Sequence, residues 1–238
     1  MNDLIRDRLD DLHDKVEEVI AEVKPRLRGW LHLATAPLAL AAGVVLVVLS
    51  PTAPTRWASA VYATSALLLF TVSAVYHTGS WSPRAHDLLK RFDHANIFLL
   101  IAGSYTPFIL ILLDGQLRTL MLSVVWGCAA LGVVFRIFWI NAPRWLYLGF
   151  YLGLGWGALA VIPGFVDGAR DLGVTGTAVL VLIAAGGLLY TVGGVVYGFQ
   201  RPDPWPKWFG FHEVFHSFTI LAFVTHYVGV SLATYAVR

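Results

Sequence analysis

The stretch "FHEVFH" at residues 211–216 contains His-Glu-x-x-His, which sets His212 and His216 one helical turn apart on a shared face. Two imidazoles so placed can bind one metal ion, and in soluble metalloproteases the same letters hold zinc while the glutamate acts as general base. A third histidine, His77, closes the stretch "SAVYH", with Ser73 four residues before it. Three neutral imidazoles and one open position describe a catalytic zinc site, whereas a structural site uses four protein ligands. Zn2+ in such a site lowers the pKa of its water from about 16 towards about 7 and polarises a carbonyl. Asp93, in "RFDHAN", is the acid that can take up a proton and return it to a leaving amine or alcohol.

These residues must be positioned by segments of an unusual kind. Residues Ser217 to Arg238 form a run of 22 whose only charged side chain is the last. Of the 238 residues, 57% are apolar and 13% charged, about half the charge of a soluble domain. Eight of the fifteen acids fall in the first 22 positions, and the rest of the chain is broken into uncharged runs of roughly 17–25 residues, the length that crosses a bilayer. The expected fold is an all-α integral membrane protein with seven transmembrane helices, near 31–50, 57–79, 93–113, 119–140, 145–165, 174–199 and 210–236. Helices are required because backbone groups find no water partner in lipid, and the alternating ten-residue segments of a barrel do not occur. "SPTAPTR", "SWSPR", "INAPR" and "QRPDPWPK" punctuate the joints.

The single Cys128 excludes an intrachain disulfide. The charged N-terminal tail does not read as a signal peptide. Its apolar positions Ile5, Leu9, Leu12, Val16, Val19 and Val23 make one helical stripe, so residues 1–28 are expected as an amphipathic cytoplasmic helix and 29–238 as the bundle. Recurring glycines such as Gly149, Gly153 and Gly157 read as helix-packing positions.

Arginine and lysine counts predict the orientation. One side carries six in the tail, three in 80–92, two in 136–144 and two in 200–208, thirteen in all; the other carries Arg56, Arg118, Arg170 and Arg238. Positive charge is enriched on the cytoplasmic side, so the N-terminus is expected in the cytoplasm and the C-terminus outside. With that path through the membrane, the second span ends, and the third and seventh begin, at the cytoplasmic face. His77, Asp93, His212 and His216 therefore meet in one layer, up to 139 positions apart in sequence.

Each polar residue also has a plainer reading. Asp93 could pair with His94 or a loop arginine, and Ser73 could bond its own helix backbone. Glu213 points about 100° away from His212, which favours a supporting role over catalysis. His226 lies ten residues, about 15 Å, beyond His216 and is too far to share the ion. His32 opens the first span in the same layer and is the reserve ligand. Asp114 in "LLDG" raises an intramembrane protease, but it closes the third span about 30 Å from the histidines.

In their order along the chain, "KPRLRGWLH", "SAVYHTGSWSP", "RFDHANIFLLIAGSYTPF" and "HEVFHSF…HY" resemble the haemolysin III branch of the progestin and adipoQ receptor family. The resemblance runs along nearly the whole chain after the tail. It implies a seven-helix protein of the bacterial cytoplasmic membrane with an intramembrane zinc ligated by His77, His212 and His216. It also implies that Asp93 holds or activates the zinc-bound water and that Ser73 supports the site. The superfamily includes alkaline ceramidases, so the expected activity is hydrolysis of a lipid amide or ester, with membrane lipids as partners. The alternatives are a zinc-containing receptor or homeostasis protein without enzymatic activity, and a haemolysin-type cytolytic protein. The short tail departs from the eukaryotic receptors and speaks against hormone binding. No span carries the continuous polar stripe of a channel, and the short juxtamembrane basic clusters give nucleic-acid binding no support.

Overall fold

The computed structural model describes residues 25–237. In it the helices are α1 (Trp30–Leu49), α2 (Ala53–Thr78), α3 (Pro83–Leu112), α4 (Gly115–Phe138), α5 (Arg144–Gly155), α6 (Ile162–Asp171), α7 (Val174–Phe199) and α8 (Phe211–Ala236). They make seven segments long and apolar enough to cross a membrane, the fifth being Arg144–Asp171. Among the described residues there is no strand, only an isolated bridge between Trp205 and Phe209. The amphipathic segment expected over 1–28 falls almost wholly outside the described residues.

Local sequence accounts for the boundaries. Thr52 caps α2 by accepting from the Thr55 N–H, with Pro54 in the first turn. Ser82 caps α3 in the same way, with Pro83 at its first position. The third helix therefore starts ten residues before the expected 93, because charge marks where a membrane begins while a Ser-Pro cap marks where a helix begins. The fifth span also differs from the single run expected over 145–165. It breaks into a 3-10 turn at Gly157–Val161, restarts with Pro163 in the first turn of α6, and runs on to Asp171. Asp167 and Asp171, beyond the expected end of the span at 165, thus lie on a helix.

Sequence neighbours pack in order, α1 on α2, α2 on α3, α3 on α4 and α7 on α8, and α8 closes the bundle against α1, α2 and α3. The centre is α3, far more deeply buried along its apolar stretch than α1, α4 or α7. Large side chains such as Leu38, Leu131 and Phe138 stand exposed, which lipid tolerates and water would not. Hydroxyls tie the helices together: Tyr62 donates to the Phe223 carbonyl at 3.0 Å and Tyr227 to that of Ala42 at 3.0 Å.

Candidate metal centre

The last turn of α2, the third turn of α3 and the first two turns of α8 meet at one end of the bundle. They deliver His77, Asp93, His212 and His216 to one place, as seven alternating spans require. One ligand nitrogen from each of His77, His212 and His216 lies within 4.8 Å of the others. The His77 and His212 Nε2 atoms are 3.3 Å apart. Two nitrogens at the zinc bond length of roughly 2.0–2.1 Å and a tetrahedral angle are separated by about 3.3–3.4 Å, so this pair already has the edge of a zinc tetrahedron. His216 Nδ1 is buried with no hydrogen-bond partner, an orphan of the kind that marks a site built around something else. The donor set, three nitrogens and no thiolate, fits a borderline divalent ion.

Asp93 stands beside the cluster, its Oδ2 at 3.8 Å from His77 Nε2 and 3.6 Å from His94 Nδ1. Both readings of its neighbourhood hold, since it faces His94 and also the histidine cluster. Ser73, buried one turn before His77, hydrogen-bonds the Asp93 carboxyl. His94 itself is held by its own helix, Nδ1 lying 2.8 Å from the Lys90 carbonyl, and its carbonyl accepts from the Tyr151 hydroxyl at 2.9 Å.

His32, the reserve ligand, lies outside the three-nitrogen group. Its ring stacks on His216 with centroids 3.8 Å apart and planes 16° off parallel, so it fixes the orientation of that ring. Glu213 is fully buried and belongs to the backbone. One oxygen accepts from the Gly210 N–H at 2.8 Å, the other from Arg28 Nε at 3.0 Å. The glutamate of His-Glu-x-x-His is therefore occupied in capping α8 and tying it to the segment before α1. That segment pairs with the loop before α8 through Arg26 N–H to the Lys207 carbonyl and Leu27 N–H to the Trp208 carbonyl. Gly29, at φ 87°, turns it onto α2; a Cβ there would lie 2.7 Å from His77 Cβ, so only glycine passes.

Several residues here escape sequence reasoning. Arg136, counted above as a loop charge, lies on α4, is 1% exposed, and sits 4.3 Å over the Tyr147 ring. The Tyr147 hydroxyl is 3.4 Å from that of Tyr197, whose ring neighbours His212 at 5.7 Å. Aromatic residues in an apolar run carry no pattern that announces such a cluster. Arg136 had a signal, a cation within one helical turn of an apolar run.

A cavity of about 380 Å3 leads from this cluster into the bundle, with Asp93 and His216 at one end and His226 at the other. Its wall is mostly apolar, with Ile97, Leu100 and Phe108 of α3 along one side. That volume lies within the range of small-molecule sites, roughly 300–1,000 Å3. Asp114, the residue before α4, lies at the opposite end of the bundle and does not line the cavity, as its position 21 residues and about 31 Å beyond Asp93 requires.

Comparison with known proteins agrees with this architecture. Residues 20–227 match the family described as Haemolysin-III related. The chain is 31% identical to "Hemolysin-3" of Bacillus cereus over 211 residues, covering 87% of this chain and 90% of the relative. It is 33% identical to "Hemolysin-3 homolog" of Bacillus subtilis over 186 residues, 77% of this chain and 81% of the relative. "Monocyte to macrophage differentiation factor" of Homo sapiens is 27% identical over 183 residues, 74% of this chain and 68% of the relative.

Proposed function

The chain belongs to the haemolysin III family, and on that premise we propose that it is a zinc-dependent intramembrane hydrolase of lipid amides or esters, ceramidase-like in its chemistry. The observation that carries this reading is the placement of three histidine nitrogens within 4.8 Å of one another, beside Asp93, at the end of an apolar cavity. His77, His212 and His216 would hold the ion, which supplies a Lewis acid able to acidify water and polarise a carbonyl. Asp93 Oδ2 takes the proton of the attacking water and returns it to the leaving nitrogen or oxygen. Ser73 fixes the Asp93 carboxyl, and the cavity wall aligns the acyl chain and excludes bulk water. The excess of thirteen basic residues over four supports a site in the cytoplasmic leaflet of a bacterial inner membrane, with the C-terminus outside, where the linkage between headgroup and chain lies at the depth of the histidines.

Metal content paired with lipid turnover tests the reading. Wild type and a His77→Ala, His212→Ala, His216→Ala triple variant are purified, zinc per chain is quantified, and both are incubated with mixed ceramides and glycerolipids under mass-spectrometric detection. About one zinc per wild-type chain, with fatty-acid release lost in the variant, is the expected result. Zinc without turnover would instead favour a non-enzymatic receptor or homeostasis role, and dye release from liposomes at low protein density would favour a cytolytic one. Asp93→Asn is expected to retain the metal and lose turnover, which separates binding from proton transfer.

A further inference from the structure

His77 is carried by α2 and the other two histidines by α8, yet these helices pack on each other less than either packs on α1. What joins them at the histidine end is the short segment that leads into α1. Three of its residues reach the cluster. Arg28 Nε donates to Glu213 Oε1 at 3.0 Å, and Glu213 stands between His212 and His216 in sequence. Gly29 abuts α2, where a Cβ on it would lie 2.7 Å from His77 Cβ and 2.9 Å from Thr78 Cγ2. His32, in the first turn of α1, stacks on His216. Within five residues the chain touches both histidine-bearing helices and two of the three histidines.

The rest of the segment is fastened to the loop before α8 and not to the helix itself. The N–H groups of Arg26 and Leu27 donate to the carbonyls of Lys207 and Trp208, and the Arg26 guanidinium lies 4.7 Å over the Trp208 ring. The tie to the helix is the ion pair. Glu213 holds the Gly210 N–H with one oxygen and Arg28 with the other, so its carboxylate fixes the rotation of the first turn of α8. Rotation is what aims the two α8 histidines. A turn of about 30° carries a side chain at a radius of about 5–6 Å through about 3 Å, more than the length of a zinc–nitrogen bond.

We infer that Arg28 is a positioning residue of the metal centre: through Glu213 it sets the rotation of α8 that turns His212 and His216 onto His77. This rests on the reading above that the three histidines hold zinc. The charge of Arg28 and its position act on a bound dication in opposite senses. A guanidinium repels a cation, so an arginine acting through charge alone weakens metal binding, and its loss tightens it. An arginine that holds the ligands in place strengthens binding, and its loss weakens it. The sign of the change separates the two.

Zinc affinity, measured on the full-length protein in detergent by competition with a fluorescent chelator, tests this. Arg28→Met is expected to bind zinc about tenfold more weakly, the lower end of the roughly 10–100-fold effect of residues that orient metal ligands from outside. Arg28→Lys keeps a cation for the carboxylate and is expected to recover the affinity to within about threefold of wild type. Arg28→Gln, which loses the charge but can still donate to Glu213, stands in if Arg28→Met does not fold, and is expected to bind about threefold more weakly. Tyr227→Phe removes a bond between α8 and α1 that lies 15 residues, about 22 Å, along α8 from His212, and should leave zinc affinity unchanged. Zinc binding that is unchanged or tighter in the neutral Arg28 variants, or an equal loss in Tyr227→Phe, would overturn the positioning role while leaving the metal centre standing. Failure of the wild type to bind zinc would overturn both.

Discussion

The two ends of this bundle are closed by opposite means. At the end that holds the histidines, charged and polar side chains turn inward: Arg136, Glu213, His32 and His216 are all nearly or fully buried. At the other end, charges turn outward and pair along their own helices, Asp114 with Arg118 and Asp167 with Arg170, with both aspartates well exposed. Closure there comes from backbone contact instead. A Cβ on Gly168 would lie 1.9 Å from the Leu112 carbonyl oxygen, and one on Gly176 would lie 1.8 Å from that of Ala169. The end closed by glycines buries two unpartnered hydroxyls, those of Ser231 and Thr234, but among the described residues no unpartnered nitrogen and no charge. An end that buries unpartnered nitrogens and a guanidinium is built around something that the protein's own hydrogen bonds do not complete.

Substitutions can break that contrast. The largest effect is expected from the triple histidine variant described above, whose metal content should fall from about one per chain to near zero by elemental analysis. Next comes Arg28→Met. It strands the Glu213 carboxylate, fully buried, although Arg28 itself is 21% exposed and part of the effect is screened. Removing one partner of a buried pair costs about 3–5 kcal/mol, so about 3 kcal/mol is expected here, seen as a fall of several degrees in Tm in detergent. Gly168→Ala acts at the opposite end. Overpacking should cost about 1–3 kcal/mol, yet zinc per chain should stay at the wild-type value. Loss of metal in that variant would show that the two ends are not independent. Smallest is Asp114→Asn, which removes an exposed pair and should change stability by less than about 0.5 kcal/mol. Any lipid turnover should also be unchanged, in contrast to what a protease built on that aspartate requires.

Much of the fold was readable in the residues. Uncharged runs separated by Pro-, Gly- and Arg-containing joints located all seven spans, because in lipid a charge is expensive and a helix is the only open-ended solution. The start of α3 was misplaced by ten residues, since its first turns carry the charges that were used to mark the boundary. The turn at Gly157–Val161 was missed because an apolar run looks the same whether its helix is continuous or broken. At the site, His77, His212 and His216 were brought together by the alternation of seven spans, and the structure does place them within 4.8 Å. Glu213 showed its direction in the 100° offset from His212 but not its partner, because Arg28 is 185 positions away. Arg136 was misread as a loop charge; burial beside Tyr147 is a property of where α5 sits, and α5 contributes no charge pattern of its own.

Residue types and their order alone were enough to settle the class of protein and the number of crossings, and to bring three histidines to one end of the bundle. Those depend on hydropathy, helix period and charge, which act locally or add along the chain. The tertiary structure decided which polar groups are satisfied and which are left open. It committed Glu213 to capping and to Arg28, and turned His32 into a stacking partner. Such outcomes depend on the approach of two or three helices to within a hydrogen bond's length, and no spacing along one segment encodes the distance to another.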